Sequence, residues 1–127
     1  MTPWVSLETH GARAVRVIRH DVPFDTLEDV VTAYGGAAEA LERMDRARMG
    51  VVVDLRSAPS RNDPEFEQAL APHRKRFLHG WVRTVILVRS QVGRMQVQRH
   101  GGDDGGKPIV VTEPAEAARL LGVDAIE

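Results

Sequence analysis

"GVVVDLRSAPSRNDPEFEQAL", residues 50–70, is the stretch whose reading decides the fold. Val51-Val52-Val53-Asp54-Leu55 is a continuous apolar run broken only by one acid. Such a run fits a central strand covered on both faces. A polar turn with Ser57 and Ser60 follows. Asp63 then reads as a helix N-cap, and Pro64 suits the first helical position because its missing N–H needs no partner there. Phe66, Ala69, Leu70, His73 and Phe77 supply the apolar face of that helix. Pro72 interrupts it, so a kink or two short pieces are expected. A strand-to-helix turn of this kind offers free backbone N–H groups and the positive end of a helix dipole. Phosphate loops and phosphoserine switches use such turns, and so do turns that are only structural.

Upstream, residues 4–9 and 12–19 read as two strands joined at Gly11. Ala14, Val17 and Ile18 mix with Arg13, Arg16 and Arg19, as suits a half-buried strand. Pro23 breaks the chain. Asp25-Thr26-Leu27-Glu28 resembles a capping box, with Asp25 as N-cap and Glu28 reaching back. Leu27, Val30, Val31, Tyr34, Ala37, Ala38, Leu41 and Met44 recur at helical spacing and predict a helix over residues 26–47. Gly35-Gly36 inside it mark a close packing contact or a bend. Gly50 ends the helical region.

Downstream, "VRTVILV" at 82–88 and "KPIVVTE" at 107–113 read as two more buried strands. "EPAEAARLLG" at 113–122 reads as a short helix, with Pro114 in its first turn and Gly122 after its end. "RSQVGRMQVQRHGG" fits a helix capped by Ser90 and fits a strand equally, since Met95-Gln96-Val97-Gln98 alternates. "GGDDGG" at 101–106 reads as a structural loop, too acidic to cradle phosphate. Strands alternating with helices imply an α/β fold with a mixed sheet.

The chain has 127 residues, which fits a single domain over 1–127. No apolar run approaches the roughly 20 residues that span a bilayer. The start "MTPWVSLETH" lacks the basic and apolar regions of a signal peptide, so a cytoplasmic location is expected. Cysteine is absent, which excludes disulfides, thiolate catalysis and Cys-based metal sites. Arginine outnumbers lysine 15 to 2, which reads as codon bias in a GC-rich bacterial genome rather than as function.

Charge is unevenly placed. Residues 1–67 carry a net −4, residues 68–102 a net +7 without one acid, and residues 103–127 a net −4. The middle block holds Arg74, Lys75, Arg76, Arg83, Arg89, Arg94 and Arg99. Either it meets an anionic partner, or its cations pair with acids of the flanking blocks on folding. It lacks the interleaved aromatic residues of a nucleic-acid surface, so no nucleic acid is expected.

Signs of catalysis are sparse. The histidines at 10, 20, 73, 79 and 100 include no i, i+4 pair, so no two-His metal site is expected. His73 reads as a partly buried packing residue and His79-Gly80 as a helix end. No nucleophile elbow, P-loop or dinucleotide fingerprint occurs. Asp54 at the tip of a buried strand is the best catalytic candidate, although such an acid more often caps the next turn. The expectation is a non-enzyme with no cofactor and no metal.

The order of elements resembles the STAS domain, the fold of bacterial anti-sigma-factor antagonists, and more closely the small SpoIIAA-like (STAS/SEC14) proteins. "VVVDLRSAPSRNDPEFEQAL", "VILVRSQVGRMQVQR" and "KPIVVTEPAEAARLLG" carry the resemblance, which covers about residues 14–122. It implies a mixed sheet of about five strands with about four helices, and a helix at 91–100. It also implies regulatory protein–protein recognition, with a kinase-like or other signalling partner. The family's switch is a Ser or Thr just after an Asp at the start of the helix that follows the central strand. Here Asp63 is present, but Pro64 and Glu65 stand where the hydroxyl belongs, and Ser57 and Ser60 lie too early. The resemblance therefore implies recognition without the usual phosphorylation switch, with Asp63 and Glu65 supplying fixed charge where a phosphoserine would. The expected partner surface joins Ser57, Ser60, Asn62, Asp63 and Glu65 with the basic residues Arg74, Arg76 and Arg94. The alternative the resemblance leaves is a SEC14-like module for a lipid or small anion. A homodimer stays open.

Overall fold

The computed structural model describes residues 2–59, 63–95 and 108–127. β1 (Val5–His10) and β2 (Ala14–Arg19) form a hairpin whose turn holds Gly11 at φ +60°. α1 (Leu27–Glu42), β3 (Gly50–Asp54), α2 (Pro64–Leu78) and β4 (Arg83–Leu87) follow. Residues 91–95 are helical and form α3; β5 (Ile109–Val111) and α4 (Pro114–Leu121) complete the fold. The architecture is α/β, with a five-stranded mixed sheet and four helices.

The sheet order is β1-β2-β3-β4-β5. β1 runs antiparallel to β2, and every later neighbour is parallel. Successive parallel strands advance in one direction across the sheet. The right-handed crossover rule then puts the helices that join them on one face. α1 and α2 do share a face, packing with Val15, Val17, Val51, Val53 and Ile86. α4 covers the other, packing with Ala14, Val52, Val85, Leu87 and Val111. All five residues of β3 are buried, as a strand sandwiched between two layers must be.

Four expectations need correction. The cap of α1 lies one residue later than expected. Thr26 is the N-cap and accepts from the Asp29 amide, while the Asp29 carboxylate accepts from the Thr26 amide. The box needs its acid three positions after the cap, and Asp29 holds that place relative to Thr26.

α1 also ends at Glu42, short of residue 47. Arg46 reaches back to donate to the Leu41 carbonyl at 3.3 Å and across to the His79 carbonyl at 2.8 Å. Its guanidinium lies 5.1 Å from the centre of the Trp81 ring. A side chain thus takes a carbonyl that another helical turn would have used.

Pro72 does not divide α2 into two pieces: the helix runs from Pro64 to Leu78. Pro72 and Gln68, whose carbonyl loses its helical partner, are both exposed residues, and a carbonyl on the solvent side of a helix can turn to water. Gly50 does not merely end the helical region; it is the first residue of β3.

In the ambiguous stretch, residues 91–95 are helical, with the Ser90 hydroxyl accepting from the Gly93 amide at 3.2 Å. Residues 96–100 and the GGDDGG stretch lie outside the described residues.

Candidate functional site

In open parallel sheets the strand C-termini border the crevice where ligands bind. Here that edge carries Arg19, Asp54 and Leu87, followed by the turn at 55–59 and the start of α2. The turn is built locally: the Ala58 amide donates to the Leu55 carbonyl at 3.1 Å, and the Leu55 amide to the Leu87 carbonyl at 2.8 Å. Ser57 sits exposed within it. Asp63 caps α2 as expected, accepting from the Phe66 amide at 3.1 Å, with Pro64 at the first helical position. Glu65 is exposed beside the cap, where the helix dipole favours its charge.

Asp54 lies at the centre of this edge and is 3% exposed. Its Oδ2 accepts from Arg16 Nε at 3.1 Å, from an Arg16 terminal nitrogen at 2.8 Å and from an Arg56 terminal nitrogen at 2.8 Å. Its Oδ1 accepts from the Arg56 amide at 3.1 Å and from Arg56 Nε at 3.0 Å. Burial by itself would raise the carboxyl's pKa, but the hydrogen bonds from Arg56 and Arg16 outweigh it and hold the group below the usual carboxylate value. A carboxylate this fully engaged has no lone pair aimed at a substrate and no tendency to carry a proton at neutral pH. These hydrogen bonds tie the turn at 55–59 to the sheet.

The cluster extends along the sheet. Arg16 also pairs with Glu8 at 3.5 Å, the residue opposite it on β1. Glu8 Oε1 is 2.8 Å from His10 Nε2, an ion-pair distance without hydrogen-bond alignment. On the same face, Ser6 Oγ lies 2.7 Å from His20 Nε2. Among the described residues no carboxylate hydrogen-bonds to His20, so the pair lacks the third group that would make the serine a nucleophile.

Across the sheet, Arg19 is 5% exposed. It lies beside Tyr34, donates to the carbonyls of Trp4 and His20, and lies 4.2 Å from the centre of the Phe24 ring. Burial lowers the arginine's pKa and raises that of Tyr34. Phe24 ties this knot to the helices, meeting Tyr34 at 5.9 Å and Phe66 at 6.2 Å.

The expected surface is only partly assembled. Ser57, Asp63 and Glu65 share the turn and the helix start. Ser60 and Asn62 lie outside the described residues. Arg76 stands eleven positions beyond Glu65 on α2, roughly 16 Å along the axis. It pairs there with Glu42 at the end of α1. Arg74 pairs with Glu67 at 2.7 Å. Both cations thus meet acids from the first block of the chain, while Lys75, Arg83 and Arg89 stay exposed. Arg94 lies on α3, half-buried.

Sequence reasoning missed Arg16 and Arg56 as the partners of Asp54. The one available signal was their place: Arg16 midway along a half-buried strand, and Arg56 two residues past the strand-end acid.

An open groove of about 640 Å³ runs along the outer side of α4, bordered by Glu113, Pro114, Arg119, Asp124 and Ile126. It holds none of the expected site residues. Among the described residues no three His, Asp or Glu side chains cluster to hold a metal, and no helix is long and apolar enough to cross a membrane. No family profile matches the sequence, and no curated protein matches it.

Proposed function

We propose that this chain is a STAS-like, SpoIIAA-like regulatory domain that acts in the cytoplasm, recognises another protein and performs no chemistry of its own. The observation that carries the reading is the state of Asp54. The strand-end acid that an α/β enzyme would use is consumed by two arginines, and what it anchors is an exposed turn. The five-stranded mixed sheet with four helices is consistent with the layout the resemblance implies. Pro64 and Glu65 occupy the place of the family's phosphorylatable hydroxyl. The turn then offers its partner a fixed negative charge instead of a switched one.

The test is affinity capture from the host lysate, with mass spectrometry of proteins and of extracted lipids. Wild type runs beside a Ser57→Arg, Glu65→Arg variant whose fold is checked by circular dichroism. Neither residue is a cap or a core residue, so folding is expected to survive. A protein retained by wild type and lost by the variant supports recognition at this turn. Lipid on both baits, or no protein on either, overturns it and favours a lipid- or anion-binding module.

A further inference from the structure

α1 faces α2 along one stripe. Gly35 lies against His73, Tyr34 meets Phe77 at 5.4 Å, and Glu42 accepts from Arg76 Nε at 3.2 Å. Residues 27, 31, 34, 35, 38 and 42 share that stripe by helical spacing. Its first two members are not covered. Leu27 is 38% exposed and Val31 48%, and Val22 in the preceding loop is 37%. An apolar strip that α2 covers farther along is therefore left bare at the amino-terminal turn of α1.

The rim of this strip is acidic. Asp21, Asp25 and Glu28, which flank Val22 and Leu27 along the chain, are exposed, and Glu65 is exposed at the start of α2, whose Phe66 meets Phe24 just ahead of α1. Asp29 and Asp63 are spent as caps, but these four acids are not. Among the described residues none of the four forms an ion pair. Arg19 is buried beneath Phe24; it feels the Asp21 charge but makes no ion pair with it.

From this apolar strip within an acidic rim we infer a docking site for a cationic amphipathic segment of a partner protein. Its apolar side chains would cover Leu27, Val31 and Val22, and its Lys or Arg residues would face Asp21, Asp25, Glu28 and Glu65. Anionic lipid is disfavoured by the same rim. A two-fold dimer through this face would set acid against acid. The inference rests on the protein-recognition reading and names the chemistry of the partner.

The probe is a synthetic amphipathic helix of roughly 14 residues, with Leu on one face and Lys on the other. Two controls accompany it: the same Leu face with Glu in place of Lys, and a Lys-rich scramble with no apolar face. Amide chemical shifts of the full chain are followed on titration. The expected result is perturbation confined to residues 21–32 and 63–67 by the first peptide alone. Leu27→Asp with Val31→Asp should weaken binding by about tenfold or more. Glu28→Lys should weaken it less, and in a salt-dependent way.

Equal binding of the scramble, or shifts centred elsewhere, overturns the proposal. So does a dimer in sedimentation that Val31→Asp dissolves. The Leu27→Asp, Val31→Asp chain is also used as bait in the lysate capture. If a protein lost by the turn variant is kept by this one, the docking site falls and the recognition reading stands. If neither variant changes the capture, both fall.

Discussion

Arg16 on β2 holds Asp54 on β3 by two hydrogen bonds, at 2.8 and 3.1 Å, across 38 residues of sequence. The parallel register sets Ile18 opposite Asp54 and Arg16 opposite Val52, so the pair is diagonal on one face of the sheet. Arg56 closes the same carboxylate from the turn side. Removing the acid strands two guanidiniums in a partly buried place, whereas removing Arg56 leaves Asp54 one partner. Asp54→Ala is expected to cost about 3 kcal/mol, the low end for breaking a buried pair. Arg56→Ala should cost clearly less. Urea denaturation of both variants checks the order.

The same group sets an acid limit. Its folded pKa lies below the ordinary value of 3.8. The stabilisation is therefore complete above that value and is lost as pH falls through the folded pKa. Stability measured between pH 5 and pH 2 should fall more steeply for wild type than for Asp54→Asn.

His73 gives a second, milder dependence in the opposite chemical sense. Its pKa is lowered from 6.5, first by burial against α1 and then by the nearby Arg76 charge, and its Nδ1 has no hydrogen-bond partner among the described residues. A histidine held neutral in the fold binds its proton more readily when unfolded. Stability is full above about pH 6.5 and declines below it, toward the folded value. His73→Gln should flatten the stability profile between pH 7 and pH 5 without abolishing folding. Thermal melts across that range decide it.

The two glycines inside α1 should respond differently to alanine. Nothing lies within 4 Å of a Cβ built on Gly36, so Gly36→Ala gains helix propensity alone, about 1 kcal/mol. A Cβ on Gly35 would lie 3.4 Å from His73 Cε1, at the edge of ordinary contact. Gly35→Ala should therefore gain less. Melting temperatures of the two variants give the comparison.

Gly50 has no such room. A Cβ there would lie 2.6 Å from Leu121 Cδ2 and 3.4 Å from the Arg83 carbonyl oxygen. Gly50→Ala should destabilise by about 1–2 kcal/mol, as overpacking does. In a double-mutant cycle, Leu121→Ala should cost less in the Gly50→Ala background than in wild type.

Much of the fold was legible because its signals are local. The Asp63-Pro64 start of α2 and the Gly122 stop each need only a few consecutive residues, and the structure keeps both; the Ser90 cap settles as helix a stretch the residues left open. The triple valine of β3 announced a strand buried on both faces. The errors were also informative. The α1 cap slipped by one residue because Asp25 and Thr26 are both good caps, and the position of the reciprocal acid decides between them. α1 was read too long because Met44 continues the apolar spacing. Met44 still packs on the core, but from a turn that Arg46 stabilises.

The site was less legible. Asp54 stood out in the sequence as an acid at a strand tip, yet its role depended on what faced it. Arg13, Arg16 and Arg19 look alike along β2, and only the pleat and the pairing register separate them. Arg16 is turned to the carboxylate, and Arg19 is buried beneath Phe24 on the opposite face. The charge blocks behaved similarly: Arg76 found Glu42 once α1 and α2 packed together, while Arg74 found Glu67 along α2 itself.

The sequence by itself determined most of the alternation of strands and helices, the start of α2, the stop of α4 and the buried central strand. Those follow from hydrophobic period and from hydrogen bonds that close within a turn or two. Only the tertiary structure decided that Arg16 and Arg56 engage the Asp54 carboxylate, and that Leu27 and Val31 lie exposed. Both depend on which residues of distant segments meet, and that is set by strand register and by where one helix stops covering another.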